Sequence, residues 1–179
     1  MIPPNVSRLK QELRRLLEGA GLADKPQGLG TVQFKVVCRG DSETVLQNAK
    51  EVLTALVRKA ISEWPWPDDH KWRNALPQWF VERCGEELTA EEAEKWLEWW
   101  RGLPWEKQQQ VEKEKPWSLS DWIYWFHPNQ RTWYWWDGQC TSAYVCRVAT
   151  EVDEWPFPWG ALDWLFRAAG AVSVKAEDE

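Results

Sequence analysis

Two histidines, four cysteines and a dense set of carboxylates are the chain's stock of reactive side chains. Asp68-Asp69-His70 sets two carboxylates beside an imidazole, and His127 with Cys84 could complete a mixed-ligand metal site. Spacing fixes no such site. The sequence holds no C-x-x-C pair, no H-E-x-x-H helix, no glycine-rich phosphate loop and no G-x-S-x-G elbow. Asp69, just ahead of a possible helix, reads more simply as a cap, and His127 before Pro128 as a helix end. His70 and His127 stay weak metal candidates, and the expectation is no metal and no cofactor. Carboxylates crowd residues 86–98, where they suit the outer faces of helices. With no catalytic set assembled, the expectation leans away from an enzyme.

The cysteines are Cys38, Cys84, Cys140 and Cys146. Cys140 and Cys146 fall on one expected strand about 20 Å apart, too far to bridge. Free thiols suit a reducing compartment. No window of about 18 uninterrupted apolar residues suggests a transmembrane helix. The charged start of the chain resembles neither a signal peptide nor a lipidation site. A cytoplasmic protein off the membrane is expected.

Tryptophan is the compositional anomaly: 17 residues, nine of them between positions 117 and 170. Each ring buries a large area and wants a partner for its indole N–H, so most belong in a core and the rest on a binding surface. Charge divides the chain as well. Residues 1–63 carry ten Lys and Arg against seven Asp and Glu, and residues 64–179 carry twelve against 21. The tryptophan-rich part is therefore the acidic part, which argues against binding phosphate backbones there. EWPWP at 63–67 nearly repeats as EWPFP at 154–158, and both read as rigid junctions between elements.

These residues need elements to hold them. Val6, Leu9, Leu13, Leu16 and Leu17 make one face of a first helix, with Arg8, Lys10, Glu12 and Arg15 on the opposite, solvent-facing side. A strand alternates over 31–39, and a long helix capped by Asp41 or Ser42 runs to Trp64. Residues 68–116 are helical in pattern, with Pro77 as a helix start, a Thr89/Glu92 capping box and a solvated run from Gln108 to Lys115. Ser118 caps a further short helix. A hairpin follows with Asp137-Gly138 at its tip, then a helix over Ala161 to Ala169, a last strand and an acidic tail KAEDE.

The order strand, helix, strand, strand, helix, strand predicts an α+β protein. Its finer form is a ferredoxin-like βαββαβ plait with an N-terminal helix and a Trp-rich helical insertion. One domain of 1–179 is expected, with the plait core at 31–63 and 129–175 and the insertion at 64–128. Gln33, Lys35, Arg147 and either Trp133/Trp135 or Tyr134/Trp136 share the sheet face away from the plait helices. RNA-recognition modules stack bases on such faces, but the preferred reading has the insertion cover it. The functional expectation is a protein–protein interaction or regulatory protein without catalysis, suited to a basic partner. Trp99, Trp105, Trp133, Trp135 and Arg147 are the candidate surface. The alternative is a Trp-lined groove for a small aromatic or sugar-like ligand or single-stranded nucleic acid, nucleic acid being the less favoured partner. Oligomeric state is not encoded in any pattern here.

Overall fold

The computed structural model describes residues 2–177, so Asp178 and Glu179 of the acidic tail lie outside the described residues. Helix α1 (Val6–Glu18) precedes strand β1 (Gly30–Cys38), which alternates as its sequence demands: Val32, Phe34, Val36 and Cys38 are buried while Thr31, Gln33 and Lys35 are exposed. Asp41 then caps α2 (Ser42–Ser62) by accepting the Thr44 N–H, and nine of that helix's residues are buried. Five short helices follow: α3 (Asp69–Ala75), α4 (Gln78–Arg83), α5 (Ala90–Arg101), α6 (Trp105–Glu114) and α7 (Leu119–Tyr124). The chain closes with β2 (Trp133–Ser142), β3 (Val145–Val152), α8 (Gly160–Ala169) and β4 (Ala171–Ala176). Gly170, at φ +117°, makes the left-handed stop between α8 and β4.

The protein is α+β, with one four-stranded antiparallel sheet in the order β2-β3-β1-β4. Since β3 is antiparallel to both neighbours, β1 and β2 run parallel with β3 between them. By the same logic β3 and β4 run parallel with β1 between them. Helices α2 and α8 pack together on one sheet face, where Trp135 stacks on Phe166 of α8 with ring centroids 6.4 Å apart.

Four expectations change. The insertion does not lie over the open sheet face, where Gln33, Lys35, Arg147 and Lys175 are exposed. It extends the helix layer instead: α3 packs on α2, α4 on α8, and the Trp122 indole N–H donates to the Ala161 carbonyl of α8 at 2.9 Å. Its rings run inward from Phe80 to Trp122, Phe126 and Trp133, each adjacent pair 4.6, 4.5 and 5.5 Å apart. That path leads to the helix-side core because the large apolar surface is there.

The hairpin also turns later than expected. Asp137-Gly138 lies within β2, beside a register shift between Trp135 and Asp137, and the chain reverses at Ala143-Tyr144. Gly138 is needed where it lies, for a Cβ there would meet the Trp135 ring at 2.8 Å. The later turn puts Cys140 and Cys146 on opposite strands as direct partners, with sulfurs 3.9 Å apart, and Cys38 is 3.9 Å from Cys146 on the other side. Three free thiols thus form a row across three strands.

The fourth change concerns α1, whose Glu12 and Arg15 are buried. β2 is an edge strand, and its outward peptide groups would be left unpaired. Glu12 accepts the Trp135 N–H at 2.8 Å, Arg15 Nε donates to the Trp135 carbonyl at 3.2 Å, and Arg131 Nε donates to the Trp133 carbonyl at 2.9 Å. Glu12 and Arg131 also pair directly, both fully buried. Arg15 continues to Glu151, which accepts from Arg8 and from the Gln27 N–H as well. Burial pulls the Arg15 guanidinium below its ordinary pKa, against the opposing pull of Glu151 and Glu12.

Removing one member of such a pair strands the other charge in the core. Glu12→Ala should therefore destabilise by about 3–5 kcal/mol in urea unfolding. Replacing Glu12 and Arg131 together by leucine and methionine should restore only part of that loss, because the Trp135 N–H and the Trp133 carbonyl then lose their partners. A Glu12→Ala variant as stable as wild type would show that the pair does not hold α1 to the sheet.

Candidate functional site

A broad concavity lies between the α5–α6 hairpin and the body, a groove of about 1250 Å³. Helical spacing builds each wall. Ala93, Trp96 and Leu97 on α5 stand at i, i+3 and i+4, and so do Asp121, Tyr124 and Trp125 at the α7 end of the facing wall. Asp163 and Arg167, one turn apart on α8, contribute below them and pair at 2.9 Å. Trp117 closes the base against the start of α8, where a Cβ on Gly160 would meet its ring at 2.8 Å.

The hairpin that forms one side of the groove is lightly attached. Neither α5 nor α6 contributes a buried residue. The Thr89/Glu92 capping box starts α5, and Trp100 locks the two helices together: its indole N–H donates to the Gln108 carbonyl, and the Gln108 amide donates back to the Trp100 carbonyl. At the root, the Gly85 N–H donates to the Trp117 carbonyl at 2.7 Å, and Gly85 bridges Ser118. A Cβ at Gly85 would meet the Pro116 carbonyl oxygen at 2.8 Å, so the close approach calls for glycine. Arg167 adds one strut, donating to the Lys113 carbonyl.

Of the expected surface residues, Trp99 (53% exposed) and Trp105 (72%) do sit in the open, both on this hairpin. Arg147 is exposed on the far sheet face, paired with Glu177 at 3.1 Å. Trp133 and Trp135 require correction: at 1% and 0% exposure they are core residues, because their side of β2 faces the helices. Tyr134 and Trp136, the other option, are not open to stacking bases either. Arg8 and Arg131 lie over the buried Tyr134 ring at 3.8 and 4.1 Å, and Arg15 lies over Trp136 at 4.7 Å. The groove's own Trp96, Trp117 and Trp125 carry no sequence signal that marks them as a site. Their joint exposure to one space comes from the docking of α5 opposite α7, which no local pattern encodes.

The two histidines are not brought into a ligand set. His70 is exposed beside Asn74 at 3.3 Å, while His127 lies against Trp64 and Trp66 and accepts the Asn129 N–H. No group of three or more His, Cys, Asp or Glu arranged for a metal occurs among the described residues. Among them, too, no helix is long and apolar enough to cross a membrane. Compared with family models, curated proteins and solved structures, the chain matches none.

Electrostatically the groove region is acidic. Residues 86–121 hold ten carboxylates against five cations. In the groove itself Glu86, Glu87, Glu112, Asp121 and Asp163 stand against Lys113, Lys115 and Arg167, with Asp163 paired to Arg167 and Glu87 to Arg73. Beside its root, burial pushes the Cys84 thiol up to about 11 from 9.0, with the Trp164 indole pulling the other way. The folded state thus keeps a proton the unfolded chain gives up. Wild type should lose stability relative to Cys84→Ala as pH climbs from 9.0 to about 11, and not below that window. Parallel unfolding curves at each pH would reveal the slope, and its absence would mean that the thiol is not shielded.

Exposure makes a second prediction. Trp99→Ala and Trp105→Ala should each change unfolding free energy by no more than about 0.5 kcal/mol. Trp122→Ala, in the core, should cost about 3–5 kcal/mol. A large loss at Trp99 or Trp105 would make that ring part of the folded framework.

Proposed function

We propose that this chain is a protein-docking module without catalysis, and that the groove under the α5–α6 hairpin receives a basic segment of a partner protein. One observation carries the reading: a helical hairpin with four tryptophans and no buried residue stands over an aromatic-walled, carboxylate-rich groove. Aromatic surface left outside a core is costly unless something covers it, and exposed tryptophans are the side chains that most often anchor interfaces. Trp99 and Trp105 extend the aromatic surface beyond the groove. Carboxylates at its rim favour a cationic visitor and would steer one in.

Size weighs against the small-ligand alternative. Small-molecule sites usually occupy about 300–1,000 Å³ and enclose their ligand, whereas this groove is larger, at about 1250 Å³, and open along one side. Nucleic acid fits less well still, since phosphates would meet the carboxylates.

The body that carries the hairpin is, on this proposal, a ferredoxin-like plait interrupted after its first half. Support comes from two interleaved β-α-β units, β1-α2-β2 and β3-α8-β4, each enclosing one strand of the other. A reducing, cytoplasmic setting is part of the same reading.

The test is calorimetric titration with a synthetic peptide alternating lysine and alanine, against its glutamate counterpart. The lysine peptide should bind, weaken with added salt, and lose roughly tenfold or more in affinity to Trp117→Ala. Equal binding of both peptides, or of neither, would sink the proposal.

A further inference from the structure

Within the groove the chain already holds a cation on an aromatic face. Lys115 Nζ lies 3.8 Å above the centroid of the Trp96 ring. The ring is well supported for this. Trp100 stacks on it at 6.3 Å with planes 17° apart, and Trp100 is itself fixed by its two hydrogen bonds with Gln108. Trp96 can therefore hold one fixed attitude toward the groove.

Glu86 and Glu112 line the same groove, yet Lys115 takes part in none of the ion pairs formed among the described residues. Its ammonium rests on the indole face alone, and the carboxylates nearby are left without it. It is the C-cap of α6, held there by its backbone N–H on the Val111 carbonyl at 2.9 Å, so its side chain can swing away while the backbone keeps the helix end.

We infer that Trp96 is the cation subsite of the groove, that it takes a lysine or arginine side chain of the partner, and that Lys115 occupies it until the partner arrives. This rests on the reading of the groove as a docking site for a basic segment. Partner binding then exchanges one cation–π contact for another, so the intramolecular contact taxes affinity by roughly its own strength. The freed Lys115 returns to solvent, and the incoming cation also gains the groove's carboxylates.

The test compares wild type with Lys115→Gln and Lys115→Arg, titrated with the same lysine–alanine peptide. Lys115→Gln should bind roughly two- to fivefold more tightly, while Lys115→Arg, which keeps a cation on the ring, should bind like wild type. Unchanged or weaker binding by Lys115→Gln overturns the inference while leaving the docking site standing. No binding by any of the three removes the docking reading itself. A second measurement needs no peptide. Tetramethylammonium chloride, titrated against a sodium chloride control, should shift the Trp96 indole N–H resonance in Lys115→Gln more than in wild type, with the signal assigned through Trp96→Phe. Equal shifts, or none, would overturn the subsite assignment.

Discussion

Peptide groups at the open edge of a sheet must find partners, and in β2 they find them in ionised side chains held out of water. The Trp135 N–H goes to Glu12, its carbonyl to Arg15, and the Trp133 carbonyl to Arg131. Those three side chains partner three peptide groups of the edge, and because two of them belong to α1, they fix that helix to the body as well. The Glu12–Arg131 pair gains its strength from the same low-polarity setting that makes either charge alone so costly. Arg15 and Arg8 carry the chain of contacts on to Glu151, which in turn holds the Gln27 amide and so the loop before β1. Helix, edge strand and loop form one polar unit. The opposite edge is guarded by other means: β4 has only six residues, carries Lys175 and is shifted in register beside Val37 and Cys38.

Much of this architecture was legible in the residues. Asp41, Thr89 and Ser118 were readable as caps, Pro77 and Gly170 as boundaries, and the alternation of β1 as a half-buried strand, because each signal acts through its immediate neighbours. The failures share a different cause. Glu12 and Arg15 look like a solvent face until a distant edge strand is known to need them. Asp137-Gly138 looks like a turn until Trp135 is seen to need the empty space beside Gly138. The two strand faces of β2 are both aromatic, so alternation alone could not say that Trp133 and Trp135 face the helices while Tyr134 goes under Arg8 and Arg131. The groove was the least legible feature, for its walls come from α5, α7 and α8 and meet only through tertiary packing.

Tryptophan serves two separate purposes in this chain. Trp72, Trp122, Trp133 and Trp135 are fully buried and bind the helical insertion to the body, so the insertion's inner half belongs to the same core as the sheet. Trp96, Trp99, Trp100 and Trp105 sit on the outer half, where the two helices hold each other and little else. The residue type is the same in both halves, and position alone separates framework from exposed surface.

The backbone bond between Gly85 and Trp117 brings together the two points at which the hairpin leaves and rejoins the body. From the body's side, everything between those points is a loop whose ends already touch. Lengthening or shortening it costs little closure entropy, which grows only slowly with loop size. Selection could therefore alter the reach, charge or aromatic content of the hairpin without reworking the sheet beneath it. The body becomes a fixed mount, and the hairpin the part of the chain free to vary.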